Sequence, residues 1–173
     1  QIGYVAQKAH MFKGSIQSNI CFGKPDASEE EMVHAATIAQ ASDFILKREH
    51  GYEDEIAEDG TNISGGQKQR LSIARVILKK PSLYIYDDSF SALDFKTDAT
   101  LRKALKPVVK NAIFFVVAQR ISTIMDSDMI IVLDEGQIIG MGPHAELLKD
   151  CSVYQEIAHS QLTQKELDDY ERN

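Results

Sequence analysis

The sequence predicts an α/β fold built on a parallel sheet, with a helical subdomain inserted early in the chain. Three observations predict it. Apolar strand-like runs alternate with amphipathic helical stretches. Residues 113–118 are apolar on both faces, as in a parallel sheet covered by helices. Residues from about 14 to 78 show no strand pattern at all.

Residues 2–6 read as a short buried strand and 15–20 as a short amphipathic helical turn. A Gly/Pro loop covers 21–26. Ser28 with Glu31 three residues later makes a capping box, so a helix spans 29–40, with Met32, Ala35, Ala36 and Ala39 on one face. Residues 44–46 continue into another short helix, and 51–62 form an acidic, glycine-containing loop. Ser64 reads as the N-cap of a helix whose face is marked by Leu71, Ala74, Ile77 and Leu78, and Pro81 stops it. Residues 83–86 are a strand and 95–105 a helix; 113–118 is the next strand and 122–125 a short helix. Strands 129–133 and 137–141 are joined by Asp-Glu-Gly, a hairpin turn. Helices at 143–148 and 153–159 close the chain, and the tail from Gln161 is polar and reads as frayed.

At 173 residues, 43% hydrophobic and 26% charged, the chain can bury a core. The longest apolar run, 112–118, is far too short for a membrane span. A net charge of −7 argues against a general nucleic-acid binder. Cys21 and Cys151 are isolated and read as reduced thiols of a cytosolic protein, and the five histidines form no metal-ligand cluster. The opening QIGYVAQ starts inside an apolar strand without a cap, which reads as a piece of a longer domain.

Two stretches carry chemistry. In LYIYDDSFSALD a strand runs into the adjacent acids Asp87 and Asp88, then a polar turn, then Asp94. Paired carboxylates at a strand end suit a metal ion beside a phosphate. In NISGGQKQR, Gly65 and Gly66 bare the backbone where a helix begins, and free amides there can grip an anion with help from the helix dipole. A bare Ser-Gly-Gly would read as an ordinary cap and turn. The whole string, followed one helix later by the acids, outweighs that reading.

ISGGQKQR resembles the signature motif of ATP-binding cassette (ABC) proteins. SLYIYDDS resembles their Walker B strand, SALD their D-loop and GYVAQ their Q-loop; VVAQRIST occupies the place of the H-loop. VLDEGQIIGMGPHAELL is similar to their C-terminal strands and helix, so the resemblance covers residues 1 to about 159. It is strongest to the exporter branch, of multidrug and lipid exporter type, where wording such as GTIRENI, EEE and SALD runs in this order.

The resemblance implies an incomplete P-loop NTPase (RecA-like) core carrying the ABC-type helical subdomain. It divides the chain into core strand and Q-loop (1–13), helical subdomain (14–78), the rest of the core (79–160) and a tail (161–173). It implies ATP and Mg²⁺ as ligands. Asp87 would hold Mg²⁺ through water, and Gln7 would touch the metal or the attacking water and sense the membrane domain. Ser64, Gly65, Gly66 and Gln67 would contact ATP bound to a second cassette, and Asp94 would bridge the dimer. The implied partners are that second cassette and a transmembrane domain, with no nucleic acid, at the cytoplasmic face of a membrane. Met11 and Phe12, just after the Q-loop, either receive the membrane domain or pack within the helical subdomain.

Two departures stand out. The family ends Walker B with Asp-Glu, whereas Asp88 fills the glutamate position here. Its carboxylate is drawn back by roughly an ångström or more, and a general base must reach its water. The family also places a His in the H-loop, where this chain has Gln119, which cannot carry a positive charge. Together they suggest a site that binds ATP and hydrolyses it poorly, while the signature is intact. The chain therefore resembles the impaired half of an asymmetric pair, completing a competent site on a non-identical partner.

A Walker A loop needs G-x-x-x-x-G-K-[ST]. The only Gly-Lys is Gly23-Lys24, with Ser18 five residues before and Pro25 after, which is not such a loop. In the family the loop and an adenine-stacking aromatic precede the Q-loop. The chain by itself is expected to bind ATP weakly and not to hydrolyse it, and an apolar sheet face left open would favour self-association. Two other classes compete: a soluble ABC ATPase acting on DNA or ribosomes, and a non-catalytic regulatory cassette. Too few residues separate Gln7 from Ser64 for the coiled coil of the DNA-repair branch, and ribosome-acting members carry two cassettes and basic linkers. The transported substrate is not legible, because its specificity lies in the membrane domain.

Overall fold

The computed structural model describes residues 1–163. They form two compact units, Gln1–Val117 and the part of Ala118–Asn173 within the described residues. The boundaries 13/14 and 78/79 lie inside the first unit.

In the first unit, β1 (Ile2–Val5) leads through the Gln7 segment to β2 (Gly14–Ser15) and α1 (Ile16–Cys21). Helix α2 (Glu29–Ile38) starts on the expected capping box: the Ser28 hydroxyl accepts from the Glu31 amide at 3.2 Å and the Glu31 carboxylate accepts from the Ser28 amide at 3.3 Å. It ends before Gln40, because Gln40 turns left-handed at φ 58°. The short helix expected at 44–46 is α3 (Ser42–Ile45).

The stretch expected to lack strands holds a small antiparallel ladder. β2 pairs with β3 (Glu55–Ile56), Gly14 opposite Ile56 and Ser15 opposite Glu55. Two-residue strands have no periodicity to read, so the sequence carries no signal for them. The 51–62 segment also winds into two 3₁₀ turns around β3.

Helix α4 (Gly65–Lys79) buries Leu71, Ala74, Ile77 and Leu78 as predicted, together with Ile73 and Val76. It ends at Lys80, left-handed at φ 48°, before Pro81. β4 (Leu83–Asp87) follows, then α5 (Phe95–Val109) and β5 (Ile113–Val117). α5 runs four residues past the predicted end at 105 and takes Pro107 into its last turn.

The sheet order is β1-β4-β5, all parallel, with Ile2 opposite Leu83 and Asp87 opposite Val117. Val5, Tyr84 and Tyr86 point into one core with Leu71, Ile73, Leu101 and Leu105. β1 lies tight against α4: a methyl on Gly3 would come within 2.7 Å of Pro81 and closer still to Val76. The opposite face is open. Ile113 is 68% exposed, Ile2 55% and Phe115 49%, so β1 and β5 are covered on one side only, not on both. An apolar run shows that a strand can be covered on both faces; it does not supply the cover.

The second unit contains α6 (Ile121–Ile124), β6 (Ile130–Asp134), β7 (Gln137–Gly142), α7 (His144–Asp150) and α8 (Ser152–Gln161). β6 and β7 form the expected hairpin, and Glu135 and Gly136 both take positive φ (46° and 79°), the geometry of a type I′ turn. Ile121, Ile130, Val132, Leu147, Tyr154 and Ala158 make its core. Gln161, read as the start of a frayed tail, closes α8 and donates to the Gln119 carbonyl at 2.8 Å; residues 164–173 lie outside the described residues. Among the described residues, no helix is long and apolar enough to cross a membrane.

Candidate functional site

Parallel strands deliver their side chains at their C-terminal edge, where ligands of α/β sheets bind. Here β4 delivers Asp87 there, and the chain bends at once through Asp88, left-handed at φ 44°. Such a φ is strained for a residue with a Cβ, and asparagine and aspartate tolerate it best. The bend is held from several sides. The Asp88 amide donates to the Val117 carbonyl at 2.9 Å, and the Ser91 hydroxyl donates to the Asp88 carbonyl at 2.7 Å. The Ser89 hydroxyl, fully buried, donates to the Val5 carbonyl at 2.9 Å and ties the end of β1 to this turn.

Gln7 meets the second of the acids. Its side-chain amide donates to the Asp88 carboxylate at 3.0 Å. Tyr4 also reaches them, its hydroxyl donating to Asp87 at 2.8 Å. That carboxylate accepts the phenol's hydrogen bond and so holds the Tyr4 phenol protonated above its ordinary range. Tyr4 had no role in the sequence reading. Its signal was strand alternation, which puts it on the open face beside Asp87. Asp88 is only 9% exposed, so its carboxylate is committed to the interior of the turn.

Helix α4 starts in the same unit. The Ser64 hydroxyl accepts from the Gln67 amide at 3.3 Å, and the Gln67 side-chain oxygen accepts from the Ser64 amide at 2.9 Å. The two glycines differ. A methyl built on Gly65 would meet nothing within 4 Å. One on Gly66 would sit 3.1 Å from the Ala92 carbonyl oxygen, so Gly66 lets the 91–94 turn close onto the helix. Asp94 caps α5 by accepting from the Thr97 amide at 3.0 Å, and hydrogen bonds from the Thr97 side chain first and that amide second hold its carboxyl below the usual range. It also faces the charge of Arg70, which donates to the carbonyls of Gly66 and Gln40 and lies 4.9 Å from the centre of the Phe44 ring. Gln119 lies in the second unit, where Gln161 bridges its carbonyl to the Ile121 amide.

Gln69 was also missed. It is 1% exposed and donates to the Ala6 carbonyl at 3.0 Å. The available signal was a polar residue on the apolar stripe of α4, one turn before Ile73. Phe12 and Phe22 stack at 4.3 Å with Arg75 over both rings, while Met11 is buried; packing in the helical region accounts for Met11 and leaves Phe12 half exposed. Lys24, of the rejected Gly-Lys pair, is paired to Glu31.

The acids fit a magnesium ion. Asp87 and Asp88 supply adjacent hard oxygens at a sheet edge, and no group of three or more His, Cys, Asp or Glu gathers among the described residues. That donor set suits an ion that keeps most of its waters and meets protein through one or two carboxylates.

Comparison with known proteins gives the same answer throughout. A profile described as "ABC transporter" matches residues 1–91. The chain is 43% identical over 162 residues to "Uncharacterized ABC transporter ATP-binding protein YfiB" of Bacillus subtilis (strain 168), covering 94% of this chain and 28% of that protein. It is 45% identical over 157 residues to "Putative multidrug export ATP-binding/permease protein YgaD" of the same organism, covering 91% of this chain and 27% of that protein. Among solved structures it matches the "Structure of a bacterial Atm1-family ABC exporter with ATP bound" with a TM-score of 0.89 at 36% identity, covering 94% of this chain and 28% of that chain. The chain thus spans little more than a quarter of the length of these relatives. With the profile matching more than half its length, and the strand-end acids and capped glycine turn in place, this chain belongs to the ABC transporter family.

Proposed function

We propose that this chain is part of the ATP-binding cassette of an ABC exporter, coupling ATP binding and hydrolysis to export across a membrane from its cytoplasmic face. Its partners are a transmembrane domain and a second, non-identical cassette. The observation that carries this reading is the open start of α4. Gly65 faces free space, and the helix amides there are available to a phosphate borne by another subunit. Ser64 adds a hydroxyl, and its capping box with Gln67 holds the turn in place. Gln67 acts by that support, and Asp94, at the exposed cap of α5, is the bridge to the partner.

At the acidic turn, Asp87 would hold magnesium through water, and the ion when bound would neutralise phosphate charge. Gln7 orients water against Asp88, which stands where the family places a glutamate. Asp88 is drawn back into the turn and held by Gln7 at 3.0 Å. A base displaced from its water loses on the order of 10²–10⁴ in rate. Gln119 at the H-loop position can hydrogen-bond a phosphate oxygen without contributing positive charge. The chain's own site therefore turns over slowly, and its intact signature serves the partner's ATP. In the full-length transporter, Asp88→Glu combined with Gln119→His raises turnover at this site at least tenfold by single-turnover ATPase assay. Unchanged turnover contradicts the impaired-site reading.

A further inference from the structure

We propose that Gln69 is a positioning residue that sets Gln7 against Asp88 from the signature helix; this rests on the cassette reading above. The two carbonyls just before Gln7 are both held by buried side chains from other parts of the chain. Ser89, 0% exposed, donates to the Val5 carbonyl at 2.9 Å from the acidic turn. Gln69, 1% exposed, donates to the Ala6 carbonyl at 3.0 Å from the second turn of α4. Gln7 itself is exposed, and its side-chain amide donates to the Asp88 carboxylate at 3.0 Å.

The geometry gives the two clamps different jobs. Ser89 fixes the end of β1 to the turn that follows β4, its neighbour in the sheet. Gln69 fixes the last residue before Gln7 to the helix that begins with Ser64, Gly65 and Gly66. Movement of the signature turn therefore moves Ala6, and with it the backbone from which Gln7 reaches Asp88. A buried carboxamide on an apolar stripe is expensive to desolvate, and a leucine or methionine would fill the space. The bond it makes lies one residue from a site residue. A misplacement of an ångström at such a site is enough to cost about a hundredfold in rate.

The test uses the chain as it stands for structure and the full-length transporter for rate. In Gln69→Met, two-dimensional NMR should show the Gln7 side-chain amide shifted and its contact with Asp88 lost. Ile77→Val, which loosens the same helix core without touching Gln7, should leave that signal in place. Gln69→Glu can donate to Ala6 only when protonated, so it should show the Gln7 contact at low pH and lose it as the buried carboxyl ionises. In the transporter, Gln69→Met should lower kcat at this chain's own ATP site, read by single-turnover assay, roughly 10–100-fold with KM unchanged. A Gln7 signal indifferent to Gln69→Met, or moved equally by Ile77→Val, overturns the positioning role. A Gln7 signal that moves while kcat holds supports the positioning role and counts against the cassette reading of Gln7.

Discussion

The start of α4 and the end of β4 carry the two groups of candidate site residues, and they are built in opposite ways. At the start of α4, what holds the fold also presents the chemistry: Ser64 and Gln67 cap the helix reciprocally, and the cap leaves Gly65 facing open space. At the end of β4 the fold works against itself. Asp88, 9% exposed, sits left-handed at φ 44°, a conformation that persists because Gln7, Ser91 and Val117 hold it. Stability and function coincide at one turn and oppose each other at the other.

That contrast can be broken by substitution. The largest effect is expected at the cap: Ser64→Ala removes the acceptor for the Gln67 amide and should cost about 1–2 kcal/mol in urea unfolding of the chain. The glycine pair should split. Gly65→Ala has room and gains helix propensity, whereas Gly66→Ala meets the Ala92 carbonyl at 3.1 Å; their melting curves should differ by about 1 kcal/mol in favour of Gly65→Ala. At the acidic turn the sign reverses. Asp88→Gly relieves the left-handed strain and should leave stability equal to or above that of the parent by up to about 1 kcal/mol, although it deletes a site residue. A loss as large as that of Ser64→Ala would erase the contrast.

The smallest effect is expected at Asp94, which joins the two regions. Its carboxyl is held below the ordinary range by hydrogen bonds from the Thr97 side chain and then the Thr97 amide, so its contribution is present above that range and is lost as pH falls through the depressed value. Asp94→Asn keeps a capping oxygen and cannot titrate. The parent should be slightly more stable at neutral pH, and the two melting curves should converge in acid. A gap that is constant with pH would remove the charge from the cap.

The same contrast explains what could be read from the sequence. The capping box at Ser28, the N-cap at Ser64, the stripe of α4 and the Glu135-Gly136 turn follow from local rules and were legible. The ladder of β2 and β3 has two residues a side and no pattern to detect. The open face of β5 depends on what lies beside the strand, and Ile113 and Phe115 are apolar whether covered or not. At the site, residue types along the chain pointed to Asp87, Asp88 and the glycine pair, and only the family resemblance pointed to Gln7. Tyr4, Gln69 and Ser89 act across the fold on partners distant in sequence, so only the three-dimensional structure brings them to the site.

Gly65 offers the most direct test of the claim that this chain serves a nucleotide held by another subunit. Gly65→Asp introduces a carboxylate into open space at a helix start, where the dipole favours it, so the fold should be unharmed. The measurement is ATP turnover by the full-length transporter assembled with its partner cassette. The account predicts that Gly65→Asp lowers turnover by at least about a hundredfold while the chain melts no lower than the parent. Turnover that survives the added charge would show that no phosphate meets this helix, and the functional reading would fall.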